Sequence, residues 1–191
     1  INRPKHRLTG DFFWSFTKRN ACTLAVADCT GHGVPGALLT MLGNNLLNRI
    51  QRDYGQLSLE LWLAELDQIM QATLGQGYVE ENSQQDGMEI GLLHIDIKAK
   101  TLTYAGAGRN LYLIRNGEVH EYKGMRLPIG GTQHGNKEYQ RHDLPYEPGD
   151  RIYLFSDGPT DLFGGPHLKR LGTRTWLEHL RAVQPLPVPE Q

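Results

Sequence analysis

Three aspartates in glycine-rich surroundings are the residues of this sequence best suited to bind a metal. Asp11 follows a glycine, Asp28 comes just before the segment Thr30–Gly33, and Asp157 is followed by a glycine. We expect each of them at the end of a β-strand, where a rigid element holds the side chain beside a loop cavity. Converging carboxylates repel one another unless cations neutralise them, and oxygen ligands without thiolates select Mg²⁺ or Mn²⁺ over zinc. The alternative is that each is only a turn former or a helix cap.

His32 and Cys29 adjoin Asp28 and carry the other candidate chemistry. His32 can donate a proton, contact a phosphate or orient a carboxylate, and a purely structural role in the turn is an open alternative. Cys29 suits a backbone role better than a nucleophilic one, because His32 is the only basic group near it in sequence. The glycine turn resembles a phosphate cradle but lacks the Lys and Ser/Thr of a P-loop.

The local sequence places these residues in a strand–turn–helix unit. The apolar run Ala21–Ala27 predicts a buried strand that ends at Asp28. Apolar residues then recur at spacings of three and four from Val34 to Ile50, which predicts a helix. Pro35 stands near the start of that helix, where its missing N–H does no harm.

The rest of the chain is predicted as one more pair of helices and a series of hairpins. A helix is predicted from about Ser58, which can cap it, to Leu74, with Gly75 ending it. The polar segment Tyr78–Gly87 is predicted as a loop. The predicted strands are Met88–Ile97, Thr101–Ala105, Leu111–Arg115, Val119–Tyr122 and Arg151–Phe155, and the last helix covers about Leu168 to Val183. Consecutive hairpins with two adjacent helices indicate an α+β fold of antiparallel sheets covered by helices.

Composition narrows the classes of partner and compartment. Lys and Arg total 20 against 21 Asp and Glu, which argues against nucleic-acid binding. No apolar run approaches the ~20 residues needed to cross a bilayer, so we expect no direct membrane contact by this domain. The two cysteines, Cys22 and Cys29, lie in one predicted strand and indicate a reducing compartment without disulfides. We therefore expect a cytoplasmic location, and a cytoplasmic domain of a membrane-anchored receptor is equally compatible.

Six segments taken in chain order resemble a known family. They are Gly10–Phe13, Val26–Leu38, Ala105–Asn110, Leu127–Gly130, Glu147–Asp150 and Phe155–Asp161. They resemble the PPM (protein phosphatase 2C-like) metal-dependent serine/threonine phosphatases, in the stage II sporulation protein E-type branch. The resemblance covers nearly the whole chain, and the stretch from Asp28 to Leu38 is its most specific part. The aromatic run Phe12–Trp14 is similar to membrane-linked, biofilm-signalling members.

The resemblance implies a four-layer αββα fold, in which an antiparallel β-sandwich is flanked by α-helices and carries a binuclear Mn²⁺ or Mg²⁺ centre at one end. By the same resemblance Asp28 would bridge both metals, Asp11 and the main-chain carbonyl of Cys29 would hold one, and Asp157 the other. The implied reaction is hydrolysis of phosphoserine or phosphothreonine by a metal-activated water. His32 is then the best side chain to assist proton transfer.

Three features depart from the family pattern. The segment Leu162–Gln191 contains no aspartate, whereas the family has a further metal-binding Asp near its carboxyl end. We therefore expect residues 1–191 to be a single phosphatase domain that lacks its C-terminal strand and that ligand, through truncation or true loss. The common Ala-Gly-His motif appears as Ala107-Gly108-Arg109, which replaces a histidine with a permanent cation. Thr9 precedes Gly10 where a second glycine is usual.

The sequence leaves three candidate functions. The first is a phosphatase of bacterial partner switching whose substrate is a phosphorylated STAS-domain protein of the anti-sigma-factor antagonist type. The second is a catalytically impaired pseudophosphatase that only binds such a partner. The third is a phosphohydrolase of small molecules, in which the segment Glu80–Gln85 covers the substrate, although the same segment fits a flexible flap over a protein surface equally well. A homodimer is compatible with each, and the ligands do not distinguish Mn²⁺ from Mg²⁺.

Overall fold

The computed structural model describes residues 8–76, 86–131, 137–164, 169–184 and 186. Its helices are α1 (Gly33–Tyr54), α2 (Leu59–Thr73) and α3 (Gly172–Val183). Its strands are β1 (Asp11–Lys18), β2 (Ala21–Cys29), β3 (Gly87–Asp96), β4 (Thr101–Ala107), β5 (Leu111–Arg115), β6 (Glu118–Tyr122), β7 (Ile129–Gly130), β8 (Arg141–Pro145), β9 (Arg151–Tyr153), β10 (Phe163–Gly164) and β11 (Lys169–Arg170). Among the described residues no helix is both long and apolar enough to cross a membrane.

Two antiparallel sheets stack on each other. The larger has the strand order β1-β2-β3-β4-β8, with β7 paired to β3, and the smaller has the order β6-β5-β9. Strand β3 is buried along most of its length because it is covered on both sides. Met88, Ile90 and Leu92 pack in the cluster formed with α1 and α2, whereas Leu93 packs in the cluster that contains Leu111 of the smaller sheet.

The helices cover the outer faces of the two sheets. α1 and α2 bury leucines and aromatic residues against the larger sheet, with Leu47, Ile50 and Leu63 fully buried. On the other side, Trp176 of α3 makes an edge contact with Phe155, which in turn stacks on Tyr112 of β5. The layers are therefore helix, sheet, sheet, helix, and the predicted α+β sandwich is confirmed.

Local signals predicted several boundaries well. The sequence Asn116-Gly117 is a strong signal for a two-residue hairpin turn, and both residues have the positive φ that this turn requires, 51° and 79°. Gly75 follows the end of α2 at a φ of 66°, and α1 runs four residues beyond the predicted Ile50, to Tyr54. Of the predicted loop Tyr78–Gly87, residues 78–85 lie outside the described residues, and Gly87 already belongs to β3.

Three predictions about elements were wrong in detail. Ser58 occupies the cap position of α2, but its hydroxyl bonds to Glu60 at 2.6 Å and does not bond to the helix main chain. The last helix begins at Gly172 and not near Leu168, because Lys169–Arg170 pair with Phe163–Gly164 as a small hairpin.

The strand predicted for residues 151–155 ends at Tyr153. Beyond it, side-chain packing replaces strand pairing. Leu154 packs so closely on Gly91 that a Cβ at that glycine would lie 2.5 Å from Leu154 Cδ1. Asp157 therefore lies in a loop after β9, and not at the end of the strand as the sequence predicted.

Candidate metal centre

The β1–β2 hairpin brings the first two carboxylates together. In its antiparallel register Asp11 is the direct partner of Asp28. Asp157 reaches the same place from the loop that follows β9. One carboxylate oxygen from each of the three aspartates lies within 4.8 Å of the others. The three residues selected from the sequence as metal ligands thus converge.

The electrostatics of this cluster favour a bound cation. Burial, and next the Asp11 carboxylate, raise the pKa of Asp28 to about 7, although Arg109 opposes the shift. Asp11 Oδ1 is buried and has no hydrogen-bond partner among the described residues, whereas its Oδ2 accepts a hydrogen bond of 3.2 Å from the Thr9 hydroxyl. A buried carboxylate oxygen without a donor, within an all-oxygen set, fits a hard divalent cation such as Mg²⁺ or Mn²⁺.

The main chain around Cys29 is fixed against Gly10. The Cys29 N–H donates a hydrogen bond of 3.0 Å to the Gly10 carbonyl. A Cβ at Gly10 would lie 2.4 Å from the Cys29 carbonyl oxygen, so only glycine fits there. The Cys29 thiol is buried, and burial raises its pKa to about 12. A thiol that stays protonated is a poor nucleophile. We therefore keep the prediction that Cys29 acts through its main-chain carbonyl.

Hydrogen bonds join the turn after Cys29 to the start of β3, and join the residue before Asp11 to α1. The Thr30 N–H donates to the Gly87 carbonyl of β3 at 3.0 Å, and the Thr30 hydroxyl donates to Asp86 at 3.1 Å. The hydroxyl of Thr40 on α1 donates to the Gly10 carbonyl at 3.1 Å. His32 occupies the N-cap position of α1 with an exposed side chain. The site is thus anchored to α1 and to β3.

Two residues of the site were not among the predicted ligands. Glu89 lies directly opposite Asp28 in the β2–β3 pair. The Arg109 Nη2 atom lies 2.7 Å from Asp28 Oδ2 and 2.7 Å from Glu89 Oε2. A signal for Glu89 was present, because it is a lone charge inside the otherwise apolar strand Met88–Leu93. The only signal for Arg109 in the sequence was that it replaces the histidine of the common Ala-Gly-His motif.

The sandwich with a carboxylate cluster at the start of β1 and the end of β2 is that of the PP2C-type phosphatases. A profile of the Stage II sporulation protein E (SpoIIE) family matches residues 18–191, and the chain belongs to this family. The resemblance inferred from the sequence is thereby confirmed, and members of the family are metal-dependent serine/threonine phosphatases.

Three known proteins are similar to this chain. It is 25% identical over 167 residues to the phosphoserine phosphatase RsbU of Bacillus subtilis (strain 168), covering 84% of this chain and 45% of RsbU. The chain thus spans less than half the length of this relative. The SiaA-PP2C domain of Pseudomonas aeruginosa matches with a TM-score of 0.83 and 34% identity, over 96% of this chain and 70% of that one. RsbX in complex with magnesium has the same fold, with a TM-score of 0.63 and 19% identity, over 97% and 85% of the two chains.

Proposed function

We propose that this chain is an active, metal-dependent phosphatase domain that hydrolyses phosphoserine or phosphothreonine on a signalling protein. The observation that carries the proposal is the convergence of Asp11, Asp28 and Asp157 within 4.8 Å. Such a cluster of carboxylates, with one oxygen buried and without a donor, is stable in its ionised form only beside cations.

Each residue has a distinct proposed role. Asp28 is the proposed bridging ligand, Asp11 and the Cys29 carbonyl the ligands of one cation, and Asp157 a ligand of the other. Two cations held there would polarise a phosphoryl group and lower the pKa of bound water. The fixed hydrogen bond between Cys29 and Gly10 holds the first set in place. His32, exposed at the start of α1, is the proposed aid to proton transfer.

The proposed substrate is a phosphorylated STAS-domain protein of a bacterial partner-switching pathway. The family resemblance and the similarity to the phosphoserine phosphatase RsbU support it. Cys22 and Cys29 are both free thiols, which supports a reducing, cytoplasmic location. We also propose that residues 1–191 act as one domain, and a homodimer stays a prediction.

A pseudophosphatase is the second candidate, and one observation favours it. Arg109 Nη2 lies 2.7 Å from Asp28 Oδ2 and already neutralises part of the charge on Asp28. A domain of this kind would dock the phosphorylated partner without turnover.

Phosphate release separates these functions. It is measured with a phosphoserine protein and with an aryl phosphate, in Mn²⁺, in Mg²⁺ and in chelator, for the wild type, Asp28→Ala and Asp143→Ala. Asp143 is a matched control, because it is an exposed carboxylate on the far strand β8. We expect activity that needs the metal and Asp28 but not Asp143. Activity that survives both chelator and Asp28→Ala would overturn the metal mechanism, whereas specific binding of the phosphoprotein without any turnover would establish the pseudophosphatase.

A further inference from the structure

A single arginine supplies positive charge directly at the acidic cluster. The Arg109 side chain is only 11% exposed, and its Nη2 is 2.7 Å from Asp28 Oδ2 and 2.7 Å from Glu89 Oε2. The contact with Asp28 is a charge-assisted hydrogen bond, which is the strong kind in proteins, and the contact with Glu89 is an ion pair. A guanidinium stays protonated at any pH at which the protein is folded.

The fold holds the main chain of Arg109 in place. Its carbonyl accepts a hydrogen bond from the buried Tyr104 hydroxyl. Two glycines press against the same carbonyl: a Cβ at Gly106 would lie 2.5 Å from it, and one at Gly124 would lie 2.2 Å from it. These contacts fix the point from which the guanidinium extends, so its position at the cluster is built into the scaffold.

The Glu89 side chain packs closely against Gly108, the residue before Arg109. Gly108 has a φ of 74°, and a Cβ there would lie 2.6 Å from Glu89 Cγ. Because Glu89 is also the register partner of Asp28, the two carboxylates lie side by side on neighbouring strands. Arg109 can therefore bind both at once, and it is well placed to offset their mutual repulsion.

The charges at the site are unbalanced. Asp28 lies beside three further carboxylates: Asp11 and Asp157, each with an oxygen within 4.8 Å of one of its own, and Glu89, its partner in the β2–β3 pair. Among the described residues, Arg109 is the only cationic side chain that forms an ion pair with Asp28. A divalent ion that binds Asp28 Oδ2 has to share this oxygen with Arg109 or displace Arg109 from it.

We propose that Arg109 is a resident cation of the centre, which competes with divalent ions for Asp28 and so lowers the metal affinity of the site. This inference rests on the proposed function, because it takes Asp28 as a metal ligand. Arg109 is a positioning residue in this scheme, acting on the metal through Asp28. Removing its charge should tighten metal binding, while a residue that keeps the charge should preserve the wild-type affinity.

The test is the dissociation constant of Mn²⁺, followed by the electron paramagnetic resonance signal of the free ion and by calorimetry at pH 8. The proteins are the wild type, Arg109→Gln, Arg109→Met, Arg109→Lys and Asp28→Asn. The matched control is Arg115→Gln, because Arg115 makes a comparable pair, 2.6 Å from Asp150, at the opposite end of β5. Unfolding without metal is recorded by circular dichroism for each, and Arg109→Met serves if Arg109→Gln fails to fold.

We expect Kd to fall about tenfold or more in Arg109→Gln and Arg109→Met, since a full charge beside a dication is removed. Arg109→Lys should stay within about threefold of the wild type because it keeps the charge, and Arg115→Gln should leave Kd unchanged. Unchanged or weaker Mn²⁺ binding in both neutral variants would overturn the proposal, even where Asp28→Asn abolishes binding and the proposed centre stands. If Asp28→Asn binds Mn²⁺ as the wild type does, the proposed centre fails, and the role of Arg109 fails with it.

Discussion

The Gly10 carbonyl accepts a hydrogen bond of 3.0 Å from the main-chain N–H of Cys29. This bond joins the residue before Asp11 to the residue after Asp28. The separation of the two aspartates is therefore set by a contact between main-chain segments. This contact leaves no room for a side chain at Gly10.

Replacing Gly10 with alanine should disrupt the centre. A Cβ would lie 2.4 Å from the Cys29 carbonyl oxygen and 3.1 Å from the Gly31 carbonyl oxygen, so the main chain has to shift. We expect Gly10→Ala to lower the free energy of unfolding by about 1–3 kcal/mol and to weaken Mn²⁺ binding. Urea denaturation and metal titration measure both.

The control for this substitution is Gly164→Ala, because an added Cβ there meets nothing within 4 Å. It should change stability by less than about 0.5 kcal/mol. Equal effects of the two substitutions would show that the close approach of Gly10 to Cys29 has no energetic weight.

Asp28 should make the stability of the metal-free protein depend on pH. Its pKa in the folded protein is raised to about 7 from the ordinary 3.8, first by burial and next by Asp11. The folded state thus holds this proton more tightly than the unfolded chain does. The stabilisation is complete below the unfolded pKa, and it is lost as the pH rises through the folded pKa.

In chelator, the free energy of unfolding of the wild type should therefore fall by up to about 1.4 kcal/mol per unit between about pH 4 and pH 7, relative to Asp28→Asn. The variant carries a neutral side chain of the same shape and lacks this titration. Urea denaturation across that pH range checks the difference in slope. Parallel curves for the two proteins would contradict the assignment of the raised pKa to Asp28.

The Cys29 thiol should be dispensable for activity. It is buried, with a pKa raised to about 12 by burial, so it is neither ionised nor exposed at neutral pH. We expect Cys29→Ala to keep phosphatase activity within about threefold of the wild type, and native Cys29 to resist alkylation in a Cys22→Ser background. Rapid alkylation of the folded protein, or loss of activity in a folded Cys29→Ala protein, would argue for a chemical role of sulfur.

A buried ion pair between α2 and the segment after β7 should be essential for stability. Lys137 Nζ lies 2.7 Å from Asp67 Oδ1, with side chains 4% and 11% exposed, and it also donates to the Pro128 and Gly130 carbonyls at 2.8 Å. We expect Lys137→Met to cost about 3–5 kcal/mol, because it leaves the Asp67 carboxylate buried without its counter-charge.

Two further proteins test this explanation by urea denaturation. The double variant Lys137→Met, Asp67→Asn should recover part of the lost stability, since the uncompensated charge is gone. Arg174→Ala breaks an ion pair whose side chains are 93% and 63% exposed and should cost less than about 0.5 kcal/mol. A double variant less stable than Lys137→Met would rule out the buried charge as the cause.

Local sequence signals predicted the elements whose causes are themselves local. The turn at Asn116-Gly117 and the helix end at Gly75 have the positive φ that their residue types favour. The small β10–β11 hairpin was not predicted because strands of two residues are too short to show an alternating pattern. The short strand β7 and the polar strand β8 were not predicted because they pair with strands far away in the chain. Periodicity carries no information of that kind.

The sequence indicated which residues could form the site, but not how these residues are arranged in space. Asp11, Asp28 and Asp157 could be selected because each stands beside a glycine or a glycine turn. The pairing of Asp28 with Glu89 follows from the register of β2 and β3, and the reach of Arg109 to both follows from tertiary packing. Neither relationship is visible along the chain.

The β1–β2 hairpin also has a consequence for the order in which the site assembles. Its register makes Asp11 and Asp28 partners within one local ribbon, so the loop that must close to bring them together is short and its entropic cost is small. Asp157 comes from the far end of the chain, and its arrival requires the second sheet. Two of the three carboxylates can thus meet early in synthesis and folding, and the third completes the cluster only after nearly all of the domain has formed.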